Sequence, residues 1–366
     1  MIPVCSAPFY TFSVKPEGFR PCCSRHAKPV IMDDPASWWN SEYLRNFRKR
    51  MLDGDLPDEC RKCIASGDSG GQKYSPKMDV IKEVGYVSAT GHVRKNPGQI
   101  LYFTGNKCNL ACRMCDSTFS DTHGKSFPDL RIPVKVENEG FNSWRSTLDG
   151  VIAAQPREIC LYGGEPFMAR DIYEIVETLL RETNTVLAFL SNGSFDLERH
   201  KLYPLLVQNP SRFAITYSID GTPELNEKIR VLCKTDLIAK NIKTCQDIGV
   251  YCESHFTLSN MNIHELPEYI EYIESSFGKN FPFNIASVEF PSHFAPQVRE
   301  DVDEVRMKLV TYFWQKMMKG EMRLDVYKAL TSAIHKLSHP RDVRLIPEMH
   351  KTMEYMDACI FTNSKS

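Results

Sequence analysis

The chain has 366 residues, 42% hydrophobic, 11% aromatic and 25% charged, which is the composition of a folded globular protein and excludes disorder as its main state. Lys and Arg (45) nearly balance Asp and Glu (46), leaving a formal charge of −1, and no excess of one sign supports bulk capture of nucleic acid or of an anionic membrane. No stretch reaches the roughly 18 uninterrupted apolar residues of a membrane span. Residues 1–5 lack the basic and apolar regions of a secretory signal, so a cytoplasmic location is expected.

Thirteen cysteines are many for a reducing compartment, where thiols more often bind metal or do chemistry than pair, and eight of them fall within the first 115 residues. Residues 1–75 hold Cys5, the pair Cys22-Cys23 and Cys60-x-x-Cys63, with one helix-like run, 37–53, carrying Trp38, Trp39, Tyr43, Leu44 and Phe47. So little apolar sequence does not fold on a core alone, which makes these cysteines structural ligands at minimum. A C-x2-C with two separated cysteines supplies four thiolates, enough for a [4Fe-4S] cluster or a zinc ion, and spacing does not separate the two. The run Arg45, Arg48, Lys49, Arg50 reads as a solvated helix face. A polar stretch, 66–77, opens a linker taken over 76–96.

From about residue 97, short apolar runs alternate with helical periods, the pattern of βα units and an α/β fold. Strands are expected at 99–104, 157–162, 186–191, 213–219, 251–258 and 283–288, with helices at 144–154, 170–182, 197–207, 224–248 and 264–275. Six strands with helical crossovers imply a partial (β/α)6 parallel barrel over 97–290, its active site at the C-terminal strand ends. Residues 291–366 read as a helical C-terminal extension. Cys160 and Cys252, in apolar strands, are expected to be buried packing residues.

The first of these strands runs into a loop holding Cys108, Cys112 and Cys115 in the spacing C-x3-C-x2-C. Three thiolates on one loop can hold three irons of a [4Fe-4S] cube and leave the fourth open to another ligand. A zinc knuckle with a distant fourth ligand is the plainer alternative. The next strand ends in Gly163-Gly164-Glu165-Pro166. Loop and strand end together resemble the radical S-adenosylmethionine (SAM) superfamily over about 97–290. The resemblance implies SAM bound to the open iron, then cleaved reductively to methionine and a 5'-deoxyadenosyl radical that abstracts hydrogen. It also implies a reducing donor such as flavodoxin or ferredoxin.

The same resemblance assigns cofactor contacts. Gly163, Gly164, Glu165 and Pro166 would meet the SAM amino group; Ser191 and Asn192, at the third strand end, its ribose or carboxylate. Ser218-Ile219-Asp220-Gly221 is similar to the Ser-x-Asp-Gly signature of peptide-modifying members, and Arg230 stands where those members place an arginine for the SAM carboxylate. Met114 occupies a position that is more often aromatic and would pack on the adenine. Taken singly, Ser-Asn-Gly and Asp-Gly are common turns and a helix arginine usually faces water. Their placement at successive strand ends is what raises them.

Cys5 to Phe9, Gly18 to Cys23, the tryptophan-bearing helix and Leu56 to Cys63 resemble the auxiliary-cluster modules called SPASM and twitch domains, here ahead of the barrel rather than after it. That implies a second [4Fe-4S] cluster on Cys5, Cys22, Cys60 and Cys63 in a small N-terminal cysteine-rich domain. The module's Gly-x4-Cys spacing favours Cys23 and the preceding Pro21 favours Cys22; Cys22 is preferred. The expected activity is radical hydrogen abstraction from a peptide or protein side chain. The alternatives are the same chemistry on a small metabolite (sugar, nucleoside or amino acid), and a non-catalytic iron-sulfur carrier or scaffold. The intact three-cysteine motif argues against the last, since a pure carrier gains nothing from an open iron. No residue is singled out as catalytic.

Overall fold

Apolar residues at every second position put half of each strand against helices, and this alternation organises the computed structural model, which describes residues 4–24, 27–31, 34–65, 74–75, 87–132, 141–288, 291–338 and 343–363. The chain divides into two compact units: residues 1–105, 136–190 and 204–214 in one, and 106–135, 191–203 and 215–366 in the other.

In the first unit, Thr11–Lys15, Gln99–Phe103, Glu158–Tyr162 and the start of Val186–Ser191 lie side by side in parallel, in registers Thr11 to Gln99, Gln99 to Glu158 and Glu158 to Val186. Gly18–Arg20 adds an antiparallel edge to Thr11–Lys15. The N-terminal cysteine segment thus contributes a parallel strand to the sheet that carries Gln99–Phe103, a strand the sequence reading did not place. Phe12, Val14, Ile100, Ile159, Leu161, Leu187 and Phe189 are fully buried. Ile172–Glu182 buries Ile172, Ile175, Val176 and Leu179, the i, i+3, i+4, i+7 face of an amphipathic helix.

The single run expected at 37–53 is two helices, Pro35–Trp38 and Glu42–Asp53, because the Ser41 side chain caps the second by accepting from Leu44 N (3.2 Å). Nor is its basic face wholly solvated. Arg48 is fully buried, donates to the carbonyls of Pro8 (2.7 Å) and Trp39 (2.8 Å), and stacks on the Trp39 ring. Its planar fork satisfies several carbonyls at once, and burial lowers its pKa to about 9.

In the second unit, Tyr251–Leu258 pairs in parallel with Phe283–Ser287, and Ala111–Cys112 pairs antiparallel with Arg230–Val231. That second pairing breaks the helix expected at 224–248 into Pro223–Ile229 and Thr235–Ile248, with Leu232 in the left-handed region at φ 73°. The tail forms Val302–Met318, Leu324–Leu337 and Ile346–Asn363. Among the described residues no helix is long and apolar enough to cross a membrane.

Candidate active site

Cys108, Cys112 and Cys115 sit on a loop of the second unit held by a dense set of local bonds. Asp121 accepts from Cys108 N (3.0 Å), Thr122 Oγ1 donates to the Cys108 carbonyl (2.6 Å), Ser120 Oγ donates to the Leu110 carbonyl (2.7 Å), and Cys115 N donates to the Cys112 carbonyl (3.0 Å). These bonds fix the backbone of the loop around the three cysteines. Sequence reasoning did not single out Ser120, Asp121 or Thr122, although Ser-Asp-Thr ahead of a short helix is a recognisable capping signal.

The sulfurs collect partners suited to thiolates. Leu110 N lies 3.4 Å and Asn192 Nδ2 3.7 Å from Cys108 Sγ, and Arg230 Nη1 lies 3.9 Å from Cys112 Sγ. The three thiols are within electrostatic reach of one another: burial pushes Cys112 up to about 12, Arg230 opposes the rise, and Cys108 adds to it. Burial likewise raises Cys115, with Cys112, Asp116 and Cys108 adding. Three thiols, one buried and two half-buried, that repel as anions, with donors and one arginine nearby, fit a cationic cluster that would supply the missing positive charge. Among the described residues no three His, Cys, Asp or Glu side chains close on a single metal ion.

The later motifs of this unit gather on the same loop. Asn192 Nδ2 donates to Asn109 Oδ1 (2.8 Å), and Asn109 Nδ2 donates to the Ser194 carbonyl (2.8 Å), stapling the end of Val186–Ser191 to the loop. Ser191 Oγ accepts from Gly193 N (3.0 Å). Gly193 has φ 63°, and a Cβ there would meet Tyr217 Cδ1 at 2.6 Å, so the turn requires glycine. Arg230 and Asp220 form a buried ion pair at 2.7 Å. Burial alone would lower the Arg230 pKa, but the Asp220 carboxylate and the Cys112 sulfur raise it. Asp220 is itself fixed, its Oδ1 accepting from Thr257 N (2.7 Å) and its N–H donating to Asn226 Oδ1 (2.8 Å). Ser218, which ends Phe213–Ser218, is half-buried.

Met114 packs on an apolar cluster of Ala111, Phe127, Val231, Phe294 and Met356, partly from the C-terminal helix. Arg113 donates to the Lys228 carbonyl (2.9 Å) and pairs with Asp357 of that helix. Neither Arg113 nor Asp357 carried a sequence signal, because the second lies 244 residues on.

The remaining predicted residues, Cys252 apart, belong to the first unit. Gly163 has φ 149°, and a Cβ would stand 2.4 Å from the Gly105 carbonyl oxygen, which also accepts from Gly164 N (2.9 Å). Only glycine fits that approach. Glu165 is buried and caps the turn Pro166–Met168, accepting from Phe167 N (3.1 Å). Cys5, Cys22 and Cys60 are buried whereas Cys23 is exposed. Burial raises the Cys22 thiol, with Cys23, Cys5 and Cys60 adding to the rise, so these sulfurs are electrostatic neighbours. The side chain of Cys63 and most of the linker lie outside the described residues. Cys160 and Cys252 are buried.

Residues 102–273 match the family model described as Radical SAM superfamily. This stretch, just under half of the chain, is thus similar to radical SAM domains. Such a domain implies a [4Fe-4S] cluster and SAM. Among curated relatives, "Fe-coproporphyrin III synthase" of Methanosarcina barkeri is 24% identical over 50% of this chain and 45% of its own length. "Probable GTP 3',8-cyclase" of Methanocaldococcus jannaschii is 27% identical over 46% and 52%. The chain thus spans about half the length of the curated relatives it matches. A solved structure described as native anSMEcpe with bound AdoMet is 14% identical, with a TM-score of 0.47 over 61% of this chain and 62% of that one.

Proposed function

We propose that this chain cleaves SAM reductively at a [4Fe-4S] cluster on Cys108, Cys112 and Cys115 and abstracts hydrogen from a small polar molecule. The observation that carries the reading is the loop itself: three thiols in electrostatic reach of one another, one buried and two half-buried, with Asn192 on the first sulfur and Arg230 beside the second. A bound cluster and SAM supply the radical chemistry; the chain supplies position and shielding. Gly163 to Pro166 would receive the SAM amino group by close backbone approach, Ser191 and Asn192 its ribose or carboxylate, and Arg230 its carboxylate. Ser218 and Asp220 would belong to the same cofactor site, Asp220 through its ion pair with Arg230, and Met114 would back the adenine. A low-potential donor such as flavodoxin or ferredoxin would supply the electron.

The Ser-x-Asp-Gly resemblance had favoured a peptide substrate. The curated relatives weigh the other way, because they are named for a coproporphyrin and for GTP, both small molecules. The fold reading that goes with this function is a partial (β/α)6 barrel over 97–290, supported by the parallel pairing within each unit and by the family match. The test is anaerobic 5'-deoxyadenosine formation by the reconstituted, reduced protein, with cell extract split into peptide-sized and metabolite-sized fractions. Stimulation by the metabolite-sized fraction is expected. Stimulation by the peptide-sized fraction alone restores the peptide reading, and no product under any condition refutes the radical reading.

We further propose that Cys5, Cys22, Cys60 and Cys63 hold a second [4Fe-4S] cluster in a twitch-like module over 1–75. The burial of Cys5, Cys22 and Cys60 and their electrostatic proximity support it. With Cys108, Cys112 and Cys115 changed to alanine, about four irons per chain should remain; zinc in their place refutes the cluster.

A further inference from the structure

Beside the cysteine loop, the second unit carries a row of polar side chains that the cofactor contacts leave unused. Along Tyr251–Leu258, Cys252 and Ser254 face the helices: Cys252 Sγ lies 3.9 Å from the Ile242 carbonyl, and Ser254 Oγ bonds Tyr269 Oη at 2.7 Å. The alternate residues Glu253, His255 and Thr257 therefore project from the opposite face, where they are half-buried rather than packed. Glu253 Oε1 accepts from Thr216 Oγ1 (3.0 Å) and from Asn284 Nδ2 (2.8 Å), and Asn284 Oδ1 meets His255 Nδ1. His255 and Asn284 are direct register partners.

This row has one consistent assignment of protons. The carboxylate only accepts, so the Asn284 amide must turn its NH2 toward Glu253 and its oxygen toward His255. An amide oxygen also only accepts, so His255 Nδ1 carries the ring proton. Nε2 of the neutral imidazole is then a bare acceptor, with no partner among the described residues. The row also adjoins the proposed cofactor site. Ile219 N donates to the His255 carbonyl (2.9 Å), Thr257 N donates to Asp220 Oδ1 (2.7 Å), and both Asp220 and Arg230 lie within electrostatic reach of the His255 ring.

We propose that Thr216, Glu253, Asn284 and His255 form the substrate-recognition row, and that His255 Nε2 accepts a hydrogen bond from a hydroxyl or N–H of a small polar substrate. The inference rests on the radical SAM reading above. Two measurements on the full-length reconstituted protein test it. In protein labelled with 15N-histidine, the His255 signals, assigned by their loss in His255→Phe, should show a protonated Nδ1 and a bare Nε2, and Asn284→Leu should abolish that preference.

The second measurement is 5'-deoxyadenosine formation stimulated by the metabolite-sized fraction of cell extract, with iron content as the check on folding and loading. His255→Phe should lower the stimulation about tenfold, the effect of one lost hydrogen bond to substrate. His255→Gln, which keeps an acceptor near the Nε2 position, should recover part of it. A proton on Nε2, or full stimulation of His255→Phe, overturns the proposal. A wild type that makes no 5'-deoxyadenosine at all refutes the radical reading, whereas a stimulated wild type with an equally stimulated His255→Phe refutes this inference alone.

Discussion

Replacing Arg230 with methionine strips the counter-charge from Asp220 in a place water does not reach. The two side chains are 10% and 0% exposed, and their nearest atoms lie 2.7 Å apart. Breaking a buried pair from one side costs about 3–5 kcal/mol, because the remaining charge must stay buried or the site must open. Asp220 keeps the Thr257 N–H (2.7 Å), which places the expected loss for Arg230→Met near the lower end, about 3 kcal/mol. Asp220→Asn leaves the guanidinium buried beside Cys112 and is expected to cost about 2–3 kcal/mol. With both changes neither charge remains, and the double variant should be more stable than the sum of the singles predicts by about 2 kcal/mol.

Urea unfolding of metal-free protein followed by circular dichroism reads all four members of this cycle. Additivity to within about 0.5 kcal/mol would refute the claim that the two charges depend on one another. The same cycle separates structure from cofactor binding. If Arg230 only balances Asp220, the double variant recovers both stability and the response of the cluster spectrum to SAM. If Arg230 also receives the SAM carboxylate, stability returns and the SAM response does not. Arg230→Lys keeps the charge but loses the planar fork, and should fall between them.

The buried Cys22 and exposed Cys23 give opposite expectations: in a chain lacking the three loop cysteines, Cys22→Ser should empty the N-terminal site of iron while Cys23→Ser retains it, and equal loss from both would sink the assignment. Gly163→Ala places a Cβ 2.4 Å from the Gly105 carbonyl oxygen at φ 149° and should cost about 2–4 kcal/mol in urea unfolding; a loss under about 1 kcal/mol would show that the strand end relaxes freely. His123 is buried against Phe127 with neither ring nitrogen hydrogen-bonded among the described residues, and burial lowers its pKa to about 4. Below pH 6.5 the unfolded chain takes up this proton and the folded one does not, so stability should fall by about 2–3 kcal/mol between pH 6.5 and pH 4 and level off below. His123→Phe should flatten that part of the profile, and an unchanged slope would refute the assignment.

What the sequence could reveal followed from how local the cause was. Val186–Ser191 and Tyr251–Leu258 lie at their expected bounds because each is a self-contained apolar run between turn residues. The C-x3-C-x2-C loop was legible for the same reason, since its spacing alone brings three thiols together. Helix 224–248 was misread because its interruption is not local: Arg230–Val231 leaves the helix to pair with Ala111–Cys112, more than a hundred residues earlier. The strand Thr11–Lys15 was missed likewise, because five residues with one charge give too short a pattern, and its partner is Gln99–Phe103.

Polar residues divide along the same line. Arg48 looked solvated because its neighbours Lys49 and Arg50 are, yet it is buried by carbonyls of Pro8 and Trp39 that no helical period could announce. Glu253 and His255 carry no signal in the sequence beyond alternating with apolar residues along a strand. Their meaning depends on Asn284 lying exactly opposite His255, which parallel pairing sets and sequence spacing does not. Motifs borne by one loop can thus be read directly. Proton arrangements shared between strands, and ion pairs such as Arg113 with Asp357, appear only once the chain has folded, and there the residues specific to this protein's own substrate are to be sought.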